Sequence, residues 1–98
     1  MTTNWELRAQ RKRERERFEA VMQAAQDERV RFNLAIQAGA EPILQTAFGP
    51  YTVTAVTRDW WYSTTANRSF GGCNDGAWAD LLHQAGVARN PLFAEVRL

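Results

Sequence analysis

Between Asn4 and Ala38 the chain carries neither proline nor glycine, and alanine, arginine, glutamate and glutamine dominate. All four are strong helix formers. Thr3 and Glu6 stand at the spacing of a reciprocal capping box. Gly39 suits the left-handed residue just past a helix end, and Pro42 bars continuation. The run therefore predicts one helix over 4–38. At 1.5 Å per residue such a helix is about 50 Å long, whereas a compact domain of about 100 residues has a radius of gyration near 13 Å. The helix cannot lie wholly on its own core.

Apolar spacing indicates which end overhangs. Phe18, Val21, Met22, Ala25, Phe32, Ala35 and Ile36 recur at three- and four-residue intervals and predict one buried stripe. Arg29 interrupts it and is expected to snorkel to the edge or to meet a carboxylate. Val30 and Leu34 make a smaller apolar pair on the other side, a candidate dimer seam with too few heptads for a coiled coil. Residues 8–17 hold six basic and two acidic groups and no large apolar side chain, so they cannot bury a face. Asp27–Arg31 and Arg15–Glu19 stand at ion-pair spacing, each worth a few tenths of a kcal/mol.

After Gly39 the sequence becomes threonine-, glycine- and tryptophan-rich. Ile43 to Phe48 and Tyr51 to Thr57 read as strands around a Gly49-Pro50 corner. Trp60-Trp61-Tyr62 reads as a third extended run and Arg68 to Phe70 as a fourth. Gly71 to Gly76 is a loop in which Asn74 or Asp75 caps a helix over 76–85 that carries Trp78, Leu81, Leu82 and Ala85 on one face. Beyond Asn90-Pro91, alternation of Leu92, Ala94, Val96 and Leu98 against Phe93, Glu95 and Arg97 predicts a last strand. The expectation is a single domain over 1–98 of the α+β class: a long N-terminal helix and one short helix packed on a small antiparallel sheet, in the order α-β-β-β-β-α-β.

Composition narrows the function classes. With 98 residues, 45% apolar and 11% aromatic, the chain is too apolar to be wholly disordered. Twelve basic against eleven acidic groups give a net charge of +1, so the chain as a whole is no polycation. One cysteine and one histidine make neither an internal disulfide nor a closed zinc site, and no cofactor or metal is expected. The opening Met1-Thr-Thr-Asn-Trp-Glu lacks the basic and apolar regions of a signal peptide, and no run approaches membrane-spanning length. The expectation is a soluble cytoplasmic protein.

Enzyme chemistry finds little support. Cys73 precedes a helix N-terminus, where the dipole favours a thiolate, and Asp80 and His83 follow. His83 would then sit about 10 Å or more along the helix from the thiol, out of reach for a general base. Gly71-Gly72 lacks the lysine and further glycines of a phosphate-binding loop.

Two surfaces remain. Arg8, Arg11, Lys12, Arg13, Arg15 and Arg17 could follow an acidic partner or a phosphate backbone. Glu14 and Glu16 among them weaken the field, and the basic groups surround the helix, so the bland alternative is a solvated, salt-bridge-laced helix. Trp60, Trp61 and Tyr62, with Arg58 and Arg68 nearby, have the composition of a binding hot spot or a base-stacking platform. On a strand the two tryptophans would face opposite ways, one of them into the core. The sequence predicts a non-enzymatic binding protein whose partner is a larger protein or ribonucleoprotein complex. A nucleic-acid-binding accessory protein and a self-associating assembly subunit, with a dimer as its simplest form, are the alternatives. In size and layout the chain resembles phage-encoded inhibitors of host defence, the anti-CRISPR proteins. That resemblance implies steric masking of a site on a host complex, in the host cytoplasm.

Overall fold

The structure, a computed structural model, describes residues 3–72 and 74–94. Helix α1 (Asn4–Gln37) opens on the expected capping box: Glu6 N donates to Thr3 Oγ1 at 3.3 Å and Thr3 N to Glu6 Oε2 at 3.2 Å. It closes at Ala38, followed by Gly39 at φ 111°. Four antiparallel strands follow in a meander, β1 (Ile43–Thr46), β2 (Gly49–Val56), β3 (Tyr62–Thr64) and β4 (Ser69–Phe70), paired in the order β1-β2-β3-β4. Helix α2 (Asp75–Gln84) is capped by Asn74, whose Oδ1 accepts from Gly76 N. The α+β architecture and the order of its first six elements are those the sequence predicts.

The core lies between α1, one sheet face and α2. Phe32, Val53, Val56, Tyr62, Trp78, Leu81 and Leu82 form one buried cluster. Val53 and Val56 are three residues apart, yet both point inward. A register shift between Val53 and Ala55 resets the alternation, as a β-bulge does. Trp78 is the hub, with Phe32, Trp60 and Tyr62 rings centred 4.9, 4.8 and 6.5 Å away.

Two side-chain amides fasten the helices to the sheet. Asn33 Nδ2 donates to Val56 O and its Oδ1 accepts from Val56 N, both at 2.9 Å. Gln84 repeats the arrangement on Ile43, accepting from its N at 2.7 Å and donating to its O at 3.0 Å. Each clamp satisfies a strand backbone edge that has no neighbouring strand at that residue.

Several expectations need correction. The buried line of α1 is Ala24, Glu28 and Phe32, not the stripe that began at Phe18. Phe18, Val21 and Met22 are exposed, because the sheet ends before reaching them. Arg29 forms no ion pair among the described residues; half-buried at the helix edge, its Nη1 donates to Arg58 O at 3.4 Å. The first hairpin turns at Ala47-Phe48, with Gly49 at φ 115° opening β2. The last element begins as a helical turn, α3 (Pro91–Ala94), not a strand. Asn90 Oδ1 accepts from Leu92 N, and proline suits the first helical position. The Val96 and Leu98 positions of the expected strand, and Cys73, lie outside the described residues.

Glu28 is the structural surprise. It is 1% exposed in the middle of the apolar face of α1. Its Oε1 accepts from Trp78 Nε1 at 3.1 Å and its Oε2 from Asn90 N at 2.6 Å. Arg89 Nε approaches Oε2 at 3.2 Å as an ion pair without hydrogen-bond alignment. Arg89 Nη2 reaches Asp75 Oδ1 at 2.6 Å, and the guanidinium carbon lies 5.1 Å from the Phe93 ring centroid. Glu28→Leu removes the carboxylate, leaves the Trp78 and Asn90 N–H groups without their acceptor and leaves Arg89 with Asp75 alone. Urea unfolding should show a loss of about 3–5 kcal/mol, with a smaller loss for Glu28→Gln, which keeps an acceptor.

Candidate macromolecule interface

No residue of α1 before Ala24 is buried, and the side-chain hydrogen bonds of residues 4–17 all stay within the helix and its cap. The molecule measures 57 × 25 × 23 Å with a radius of gyration of 17.0 Å, well above the roughly 13 Å of a compact domain this size. The N-terminal half of α1 is thus a rod projecting from the globule.

Arg8, Arg11, Lys12, Arg13, Arg15 and Arg17 are all exposed on that rod. Among the described residues, ion pairs join Asp27 to Arg31 at 3.2 Å and Arg89 to Glu28 and Asp75; none involves this segment. The expected Arg15–Glu19 bridge is missing where Asp27–Arg31 is present. An acid placed four residues before a base fits the helix dipole better than the reverse order. Arg13 Nε instead turns to Ala9 O at 3.4 Å.

Because α1 is unbroken, Arg8, Arg11, Arg15, Phe18, Met22 and Arg29 fall on one face at three- and four-residue steps. This stripe runs from the rod into a cleft of about 440 Å³ walled by Phe18 and Met22 on the helix and by Arg58, Asp59 and Trp60 on the β2–β3 connection. Arg29 and Arg58 are balanced in the cleft by Glu19 and Asp59, so the cationic excess lies outward, along Arg8, Arg11 and Arg15. Sequence reading took Phe18 and Met22 for core. Their alignment with the arginines was visible in the same spacing, but not that the globule stops short of them.

The tryptophans do not alternate on a strand. The chain turns through them: Trp60 N donates to Thr57 O, Thr57 N to Trp61 O, and Trp60 adopts φ 62°. Trp60 turns inward, edge-on to Trp78, and its other side walls the cleft. Trp61 is 49% exposed, its ring covering Gly71 so closely that a Cβ there would lie 2.9 Å from it. Tyr62 is 2% exposed, so it belongs to the core and is not a surface contact. Arg58 and Arg68 sit in turns at opposite ends of β3, with Arg68 5.8 Å from the Tyr51 ring centroid. Only Arg58 and Trp60 of this group therefore join the α1 stripe.

Asp80 and His83 are exposed on α2, and Asp80 accepts from Gln84 Nε2 at 2.7 Å. Among the described residues no group of three or more histidine, cysteine, aspartate or glutamate side chains could hold a metal ion, and no helix is long and apolar enough to cross a membrane. No protein-family model, curated protein or solved structure matches this chain.

Trp60 and Trp61 should respond differently to truncation. Trp60→Ala loses the edge-on contact with Trp78 and should destabilise the fold by about 2–4 kcal/mol. Trp61→Ala, on a half-exposed ring, should cost about 1 kcal/mol or less. Paired urea titrations measure the difference.

Proposed function

We propose that this protein is a non-enzymatic binding protein that lays the cationic face of its projecting helix on an acidic surface of a larger macromolecule and blocks that surface. The observation that carries the reading is the Arg8-Arg11-Arg15-Phe18-Met22 stripe. Among the described residues its arginines form no ion pair, its Phe18 is 65% exposed and its Met22 54% exposed. Arginine beside exposed aromatic and methionine side chains is the composition enriched at the centres of protein interfaces. The rod supplies reach, and the cleft at its base supplies a pocket for one apolar side chain of the partner. A core this small supports a recognition surface more readily than a preorganised, water-excluding active site.

The finer form of the proposal follows the resemblance to anti-CRISPR proteins: a phage-encoded inhibitor that masks a site on a host defence complex in the host cytoplasm. A second reading, nucleic-acid binding, draws on the same cleft, where Phe18 and Trp60 stand beside Arg29 and Arg58 and could stack a base against a neutralised phosphate.

Affinity capture from host lysate, with and without nuclease, separates the two. The proposal expects a protein or protein complex retained after nuclease treatment. An Arg11→Glu, Arg15→Glu, Phe18→Ala variant, whose melting temperature should match wild type, should lose at least about ten-fold in affinity for it. Retention that vanishes with nuclease, together with oligonucleotide binding that falls steeply with salt, would replace the protein-partner reading by the nucleic-acid one. A variant that binds as well as wild type would remove the stripe from the interface.

A further inference from the structure

The outer face of α1, turned away from the sheet, carries Trp5, Val30 and Leu34, which are 76%, 46% and 56% exposed. Trp5 lies on the rod and the other two lie over the globule, about 44 Å away at the far end of the same face. Between them, on that face, come Ala9, Lys12, Glu16, Gln23 and Asp27. Neither apolar end can reach the other within one chain.

We propose that two copies of this chain pair antiparallel along this outer face of α1, each projecting rod lying against the globule-bearing half of its mate. Three observations favour a second copy as the occupant. The two-fold pairing that sets Trp5 against Leu34 also sets Ala9 against Val30, Lys12 against Asp27 and Glu16 against Gln23. Both apolar ends are thereby covered, and Lys12 meets the opposite charge of Asp27 between them. Next, the short Ala9 leaves a shallow groove between Trp5, Lys12, Arg13 and Glu16, where a side chain such as Val30 of the mate can seat as a knob does in helix pairing. Last, Asp27 keeps its side chain 38% exposed although its Oδ2 meets Arg31 and accepts from Asn90 Nδ2 at 3.5 Å, so it can accept a further cation. The globules pack on the Ala24–Glu28–Phe32 side of each helix, with Asn90 and Leu92 bordering Gln23 and Asp27 at one edge of the outer face. The stripe Arg8-Arg11-Arg15 lies about a quarter-turn away and stays open in the dimer. The closed two-fold arrangement is the commonest among soluble homo-oligomers.

Sedimentation equilibrium of the whole chain should give twice the single-chain mass at high micromolar concentration, and Val30→Lys with Leu34→Lys should return it to one chain with the circular dichroism unchanged. Register is tested by cysteine pairs in a Cys73→Ser background. Ala9→Cys combined with Val30→Cys should form a covalent dimer under mild oxidation, while neither single variant should, because like positions lie about 30 Å apart in this arrangement. A charge swap gives an independent reading: Lys12→Asp weakens association, and adding Asp27→Lys restores it. A monomer at every concentration overturns the proposal, as does cross-linking through either single cysteine, which indicates parallel pairing. A Val30→Lys, Leu34→Lys variant that stays dimeric overturns the assignment of the face.

Discussion

Glu28 decides how the parts of this small domain are held. A carboxylate in an apolar face costs several kcal/mol in desolvation unless its lone pairs are engaged, and here the engagements come from α2 and from the segment leading into α3. Trp78 of α2 donates its indole N–H, Asn90 donates its backbone N–H, and Arg89 brings the countercharge while holding Asp75 at the start of α2. One side chain of α1 thus fixes the position of α2 and of the segment leading into α3. A leucine at that position would bury as much surface but would not specify which indole edge or which backbone amide comes to it. The cost of the buried charge is offset by geometry, and that geometry sets the angle at which α1 leaves the globule.

That angle matters because only the part of α1 from Ala24 to Gln37 is anchored. The Asn33 and Gln84 clamps, with the Glu28 network, make this half a rigid base. Helix nucleation is the expensive step and propagation is cheap, so a base held by tertiary packing supplies the nucleus for the unpacked half. Strong helix formers in residues 8–17 and the capping box at Thr3 and Glu6 then carry the helix outward. The stripe is displayed already ordered, so less conformational entropy is lost when a partner takes it.

The helix, the six-element order and the caps were legible because each rests on local chemistry: absence of Pro and Gly from 4 to 38, Thr3 with Glu6, Gly39, Asn74. The projecting rod followed from length alone. What was not legible depended on where the sheet ends and on long-range polar contacts. Phe18 and Met22 share the spacing of the core stripe, and nothing local tells an apolar residue that its sheet has run out. Glu28 carries no local signal of burial, because its partners lie 50 and more residues away. Trp60 and Trp61 resembled strand residues by propensity, yet Trp60 takes a positive φ that propensity argues against. There the packing of its ring on Trp78 outweighs the backbone preference. Pro91–Ala94 departs from the expected strand for the opposite reason: there a local signal, Asn90 ahead of Pro91, outweighs the alternation.

A single helix therefore divides its circumference among three tasks. One side, through Ala24, Glu28 and Phe32, is used by the fold. The side carrying Arg8, Arg11, Arg15, Phe18 and Met22 has no use within the chain. The outer side has apolar groups only at its two ends, Trp5 and the Val30–Leu34 pair. Uncovered apolar groups separated this widely do not shelter each other in a monomer, and their exposure is an aggregation hazard unless something covers them. A helix confined to its own globule would need none of this surface. On the reading proposed here, contacts outside the chain would complete this surplus length, and the uneven chemistry of the two free sides suits them to two different contacts.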